Sequence, residues 1–416
     1  LPGPTRGSRS VSLPPSRPPA DRLRVVHLGK YYPPAAGGIE THTRDLALTQ
    51  AALGTDVRVV VVNHAAADGR DVTFDRFAAT PPADDRDGPV RVLRAGRWAN
   101  LAKLDIAPGL PGLLRKMLRD PPDVWHLHTP NVTMMLAVLA SPRIRPLVVT
   151  HHSDIVRQRV LKYVVRPAEN AVYRRAARIL PTSPAYVEGS EVLKRFADKL
   201  TPLPLGIELS TFRHPSPAAE RAAAEFRAKY PGPLWLCVGR LIYYKGLHVA
   251  LDALRYVPGT LLVVGTGPLE ADLKRRAEEL GVAGRVAWLG AADADRLVGA
   301  YHAATAFWFP SVARSEGFGI VQVEAMAAGC PVINTAIPGS GVAWVCRHEK
   351  EGLTVPVNDP AAFAAAANRL AADPGLRARL AAAGRERAAA EFDRTVMGRR
   401  SLDVYRAVLA GPPARR

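Results

Sequence analysis

Apolar residues fall in short Val/Ile/Leu-rich runs separated by longer segments with helical spacing, a pattern that predicts strands alternating with helices. The first run, Leu23 to Leu28, is followed by a Gly-rich turn at Gly37-Gly38, a helix over 39–53 closed by Gly54, and a strand at Val57 to Val62. Further strands are expected at Val90 to Leu93, Val124 to Leu127, Leu147 to Thr150 and Arg178 to Pro181, with a helix over 110–118 among them. The stretch Pro202 to Gly206, with Pro215 and Pro217 beyond it, reads as a linker.

The pattern then restarts. Trp235 to Val238 is a strand ending in Gly239, and a helix begins near Gly246. Leu261 to Val264 runs into Gly265-Thr266-Gly267-Pro268 and a charged helix over 269–280. Val286 to Leu289, Ala306 to Phe309 and Val332 to Asn334 are the next strands. Two βα arrays across a Pro-rich linker predict an α/β protein of two Rossmann-like domains, 21–204 and 205–393. Residues 1–20, rich in Pro, Ser and Arg, read as a disordered leader, and 394–416 as a basic amphipathic helix that could pack on either domain.

Composition narrows the partners. The 416 residues carry 56 Lys and Arg against 38 Asp and Glu, a formal charge of +18, which favours anionic ligands or surfaces. The basic residues are scattered, with neither zinc-finger spacing nor an aromatic RNA-binding strand, so nucleic acid is not expected. Cys237, Cys330 and Cys346 have no metal-ligand spacing and fit a reducing compartment. The longest apolar run, Val132 to Ala140, falls well short of the ~20 residues of a membrane span. A cytoplasmic protein, at most peripheral on the inner face of a membrane, is the expectation.

Ligands of open α/β sheets bind beyond the carboxyl ends of the strands. Gly37 and Gly38 stand there before a helix, whose free amides suit phosphate; a tight turn without ligand is an equal reading. Arg240 and Lys245 are two cations placed to neutralise a diphosphate. Glu316 lies in a Gly-rich loop, Gly317-Phe318-Gly319, and Glu324 in the apolar helix that follows. Carboxylates in such settings are paired or bind something, and sugar and ribose hydroxyls are suitable partners. No dinucleotide fingerprint or Walker-type loop is present. Asp293-Ala294-Asp295 has the look of a metal-binding acid pair but sits where a helix begins, as a capping turn would.

These residues carry a resemblance. Val238-Gly239-Arg240, Lys245-Gly246, Gly265 to Leu269, Phe309-Pro310-Ser311, Glu316 to Gly319 and Glu324 to Ala327 are similar to the retaining glycosyltransferases of family 4, with the GT-B fold. Pro331-Val332, Gly352 to Pro356 and Asp359 continue the match, and in the first half so do Gly37 to Glu40, Asp123 to His128 and Pro204 to Ile207. The likeness spans about residues 23–410. It implies that Arg240 and Lys245 bind the donor diphosphate, that Glu316, aided by the backbone of Gly317, Phe318 and Gly319, contacts the transferred sugar, and that Glu324 holds the ribose. Gly37 and Gly38 would close on the phosphates from the opposite domain, and the terminal helix, 394–416, would pack back on the first domain. Thr150-His151-His152 matches the family's Thr-x-His and places His152 near the sugar, with His126 and His128 as structural strand-end residues.

The resemblance further implies front-face substitution, in which the departing phosphate helps deprotonate the acceptor and no metal or cofactor is required. Thr150 to Val156, Ser311 to Glu316 and Gly341 to Val345 are similar to the mannosyl- and rhamnosyltransferase branch of bacterial surface-polysaccharide synthesis. That branch implies a GDP-sugar donor and a glycan or lipid-linked acceptor. Arginines and lysines over 155–180 suit an anionic membrane surface, or a solvated helix face. A nucleotide-sugar epimerase and a catalytically silent membrane-associated scaffold are the rival functions; four intact residues, Arg240, Lys245, Glu316 and Glu324, argue against the scaffold.

Overall fold

The structure, a computed structural model, describes residues 22–35, 37–64, 79–101, 104–154 and 159–411. The expected leader lies outside the described residues. In the first half the strands are β1 (Arg24–Leu28), β2 (Asp56–Val62), β3 (Ala83–Asp87), β4 (Val90–Ala95), the hairpin pair β5 (Ala99–Leu101) and β6 (Leu104–Ile106), β7 (Val124–Thr129), β8 (Leu147–His151) and β9 (Arg178–Pro181). The second half contributes β10 (Leu234–Val238), β11 (Thr260–Val264), β12 (Val286–Gly290), β13 (Ala306–Phe309), β14 (Val332–Thr335) and β15 (Gly352–Val355).

These make two sheets of Rossmann type. The first has the order β3-β4-β2-β1-β7-β8-β9, the second β12-β11-β10-β13-β14-β15. All pairings are parallel except that of β3 with β4, which is antiparallel. Strand β3, Ala-Asp-Asp-Arg-Asp, has no apolar signature; arginines of β4 hold it, Arg91 donating to Asp84 Oδ1 at 2.8 Å and Arg94 to Asp85 Oδ2 at 2.6 Å. Helices cover both faces of each sheet, so the central strands read as continuous apolar runs.

One local reading needs correction, and one strand is added. Pro217 does not extend the linker but opens a helix, Pro217–Lys229, with Ser216 Oγ accepting the Ala219 amide at 3.1 Å. Proline is well placed there, since the first helical residue needs no N–H donor. Strand β15 forms from Gly352, where a Cβ would lie 2.4 Å from the Val332 carbonyl, so only glycine lets it approach β14.

The chain crosses between domains twice, and the crossings are joined. The Ile207 amide donates to the Phe392 carbonyl at 3.0 Å, and the Arg394 amide to the Ile207 carbonyl at 2.9 Å. Helix Arg394–Ala410 then lies on helix Gly38–Ala52 of the first domain, Gly398 standing where a Cβ would meet Thr49 Cγ2 at 2.5 Å. Among the described residues no helix is long and apolar enough to cross a membrane.

Candidate active site

Strand order reverses direction at β1/β7 in the first sheet and at β10/β13 in the second, and the crevice of each sheet opens there. From β10 the chain enters Gly239, with φ 142°, and exposed Arg240. This loop nests against the one after β11: a Cβ on Gly265 would stand 2.1 Å from the Gly239 carbonyl. Lys245 ends the turn Tyr243–Lys245, and Gly246, with φ 68°, passes so close to the Pro310 carbonyl that a Cβ would sit 1.9 Å from it.

The two loops deliver an ion pair. Lys245 Nζ is 2.6 Å from Glu316 Oε2 and 5.2 Å from the centre of the Phe309 ring. Burial opposes the charge on Lys245, but Glu316 outweighs it and holds the ammonium above its ordinary pKa. Glu324, one turn into helix Ile320–Ala328, accepts the Tyr301 hydroxyl at 2.8 Å. Burial raises its pKa against the opposing pull of Tyr301 and Lys245. Gly319 has φ 80° and starts the helix; the Phe318 side chain is buried against Phe392, so only its backbone is available to a ligand.

A neighbouring loop braces this one. Ser340 Oγ donates to the Glu316 carbonyl at 2.5 Å, the Gly341 amide to the Gly317 carbonyl at 2.9 Å, and Asn334 Nδ2 to Gln322 Oε1 at 2.8 Å. Apart from the small residues of Gly339-Ser340-Gly341, nothing along the chain distinguishes these polar groups.

His152 comes from the other domain. A Cβ on Gly317 would lie 3.2 Å from the His152 carbonyl, so the predicted sugar-binding loop and the predicted near-sugar histidine do meet. Nearby, Arg314 Nη2 is 2.8 Å from Asp154 Oδ2, and its guanidinium lies over the Tyr186 ring at 4.6 Å. Burial pushes the Asp154 carboxyl up, but His151, Arg314 and the Ser190 hydroxyl outweigh it and hold it at about 2. Gly37 and Gly38 are exposed at the start of helix Gly38–Ala52. An added Cβ on Gly38 meets nothing within 4 Å, so the folded chain itself does not require glycine there.

Behind His152 runs a file of buried imidazoles that sequence reading treated as separate residues. His152 Nε2 is 3.2 Å from His128 Nδ1, His128 Nε2 is 3.0 Å from His27 Nδ1, and His27 Nε2 is 2.9 Å from Gln50 Oε1. The alternation of β7 puts His126 and His128 on one face, and register sets His27 opposite His126. His126 bonds Tyr405 of the last helix at 2.5 Å and Thr150 at 2.7 Å. Burial depresses all of these pKa values: His27 is lowered to about 4 and His42 to about 3, while His126, His128 and His152 lie well below the ordinary value. The ring nitrogens of His27, His126 and His128, and those of His42, His128 and His152, are close enough to hold a cation, and neither nitrogen of His42 has a partner.

Asp293 is a helix cap, accepting the Arg296 amide at 2.8 Å, and the three cysteines are buried and free. Of the basic stretch 155–180, residues 155–158 lie outside the described residues; within the rest, Arg175 donates to the carbonyls of Val138 at 2.7 Å and Ile144 at 2.9 Å, and Arg166 lines a cavity of about 60 Å³ with Asp154, Glu169 and Arg314. A larger cavity of about 930 Å³ lies at the outer edge of the first sheet, between β4 and helix Leu110–Met117, and includes none of the residues above. The charged pair and the strand-end geometry mark the interdomain crevice as the site instead.

Both halves of the chain are similar to known proteins. Residues 220–387 match the family model of glycosyl transferases group 1, and residues 37–206 match the glycosyl transferase 4-like domain. The chain is 33% identical over 342 residues to D-rhamnosyltransferase WbpZ of Pseudomonas aeruginosa, spanning 82% of this chain and 84% of that protein. It is 32% identical over 356 residues to O-antigen chain mannosyltransferase C of Escherichia coli, spanning 84% and 88%. Among solved structures, sucrose-phosphate synthase from Thermosynechococcus elongatus superposes with a TM-score of 0.72 at 25% identity, over 94% of this chain and 100% of that one. With both halves matched in order, the chain belongs to the GT-B glycosyltransferases.

Proposed function

We propose that the enzyme moves mannose or a 6-deoxyhexose from a GDP-sugar to a glycan or lipid-linked acceptor, with retention of configuration and without a metal. The observation that carries this reading is the Lys245–Glu316 pair at 2.6 Å, set at the β10/β13 crevice against the domain that bears His152. Lys245 and Arg240 neutralise the diphosphate, Glu316 and the amides of Gly317, Phe318 and Gly319 take hydroxyls of the transferred sugar, and Glu324 takes those of the ribose. The exposed, sterically unneeded glycine at position 38 supports close approach of phosphate to the first helix. His152 lies beside the sugar.

The bond from the anomeric carbon to the phosphate oxygen breaks as one to the acceptor hydroxyl oxygen forms on the same face. The acceptor proton passes to the departing phosphate, and Lys245 and Arg240 stabilise the charge left behind. The protein's share is orientation and leaving-group stabilisation. The net charge of +18 supports work at the inner face of an anionic membrane, where a lipid-linked acceptor is found.

The test is thermal stabilisation by GDP, UDP, dTDP and ADP, each with and without EDTA. A ligand at 100 times its Kd stabilises the native state by about 2.7 kcal/mol. A GDP-selective shift that EDTA leaves unchanged is expected. A UDP-selective shift would discard the mannose-type donor, loss of the shift with EDTA would discard the metal-free site, and no shift with any nucleotide would discard the donor site.

A further inference from the structure

The file of imidazoles has a direction that its hydrogen bonds determine. Ser401 Oγ donates its one proton to the Gly398 carbonyl at 2.6 Å, so towards Gln50 it only accepts. Gln50 must therefore turn its amide nitrogen to Ser401, at 2.8 Å, and to the Tyr405 oxygen, at 3.0 Å. Its carbonyl oxygen then faces His27 and accepts from His27 Nε2–H at 2.9 Å. A neutral imidazole carries one N–H. His27 Nδ1 is thus bare and accepts from His128 Nε2–H at 3.0 Å; His128 Nδ1 is bare in turn and accepts from His152 Nε2–H at 3.2 Å. Every step has direct N–H···N or N–H···O length.

We propose that Gln50, His27 and His128 are positioning residues that lock His152 as its Nε2–H tautomer, so that His152 Nδ1 is a bare acceptor for a hydroxyl of the transferred sugar. The locking stands on these hydrogen bonds between neutral rings; the sugar contact rests on the donor site proposed above. Nδ1 has no hydrogen-bond partner among the described residues and is not one of the buried unpartnered atoms, which leaves it as the ring nitrogen facing the crevice. Burial keeps the imidazoles neutral, a condition the lock requires, since an imidazolium would donate from both nitrogens. Tyr405 completes the arrangement. It accepts from Gln50, so its own proton goes to His126 Nδ1, and His126 Nε2–H goes to Thr150. The last helix of the chain thereby sets the chemical face of an active-site side chain three imidazoles away.

A cation among His42, His128 and His152 is the competing occupant, because it would take the lone pairs of both His128 Nδ1 and His152 Nε2 and leave no proton between them. The first experiment is long-range proton–nitrogen NMR on the full-length 15N-labelled protein at pH 7, with His152 assigned from a His152→Gln sample and metal content measured on the same preparation. Expected are protonated Nε2 and bare Nδ1 at His27, His128 and His152, and no bound metal. A protonated Nδ1 at any of the three, or one equivalent of metal lost on His42→Ala substitution, overturns the lock.

The second experiment compares His27→Asn, whose side-chain oxygen replaces the Nδ1 acceptor, with His27→Leu, which does not. GDP-mannose affinity should fall about tenfold in the Leu variant, the worth of one ordinary hydrogen bond, and return in the Asn variant, with free GDP affinity equal in all three proteins. Equal loss of GDP and GDP-mannose affinity in both variants would mean a merely structural role and sink the positioning claim. Failure of wild-type protein to bind GDP-mannose, with the tautomers as stated, overturns the donor reading and with it the sugar contact, and leaves the lock standing. Should the Leu variant not fold, the wild-type tautomers alone decide the lock.

Discussion

Lys245 and Glu316 reach each other at 2.6 Å from loops that leave neighbouring strands, β10 and β13, so the pair staples the two sides of the crevice floor. Both side chains are largely buried, and removing one strands the other. Lys245→Ala should lower the melting temperature more than the double variant Lys245→Ala/Glu316→Gln does, as calorimetry would read. Sugar transfer should fall by roughly 10²–10³-fold for either single variant, the usual loss for one transition-state contact. Activity within a few fold of wild type in Glu316→Gln would remove it from the site.

Glu324 is raised by burial and pulled down by the Tyr301 hydroxyl. In the ribose-binding role proposed for it, the ionised form is the one that accepts hydroxyls, so nucleotide affinity should be lost as pH falls through its pKa. Tyr301→Phe removes a stabiliser of the anion, and the loss should then begin at higher pH. Titration calorimetry with nucleotide from pH 8 to pH 5 reads this directly; coincident profiles for the two proteins would contradict it.

The buried imidazoles tie stability to pH. In an unfolded chain they protonate near pH 6.5, whereas burial holds His27 near 4 and His42 near 3, with His126, His128 and His152 also lowered. Between those values the unfolded state binds more protons, so stability is full above pH 6.5 and falls with acid, by about 1.4 kcal/mol per group per pH unit. The melting temperature should be flat from pH 8 to 7 and drop steeply between 6.5 and 5. A flat profile down to pH 5 would show that these side chains are hydrated or charged in the native protein.

Close approach of the domains at one point depends on glycine, and closure over the donor is expected to run through it. A Cβ on Gly189 would stand 2.5 Å from Gly339 Cα across the domain boundary, next to the Arg314–Asp154 ion pair. Gly189→Ala should wedge the domains apart, giving a larger radius of gyration by X-ray scattering and about tenfold slower transfer, a loss typical of misplaced groups, with unchanged circular dichroism. An unchanged radius would place the contact outside the closing motion.

Much of this was legible in the sequence because buried parallel strands read as apolar runs, and because Arg240, Lys245, Glu316 and Glu324 occupy loop or helix positions where charge is conspicuous. Strand β3 was invisible, since its acids are satisfied only by arginines of β4. Pro217 was misread because proline marks a helix start as readily as a linker. His126 and His128 looked like isolated strand residues; their connection to His152 appears only when β1, β7 and β8 lie side by side. Gln50, Ser401 and Tyr405 gave no signal at all, because a buried hydrogen bond between residues 351 positions apart leaves no local pattern.

That separation also sets a timetable for biosynthesis. The Gln50 amide gains its Ser401 partner only after another 351 residues have left the ribosome, roughly 20–70 s at ordinary elongation rates. The half of the enzyme made first is thus the half completed last: during translation its histidine-lined sheet face waits under water or a chaperone. A ribosome stalled after β15 has emerged but before helix Arg394–Ala410 has should leave that face open to proteases while the second sheet is already compact.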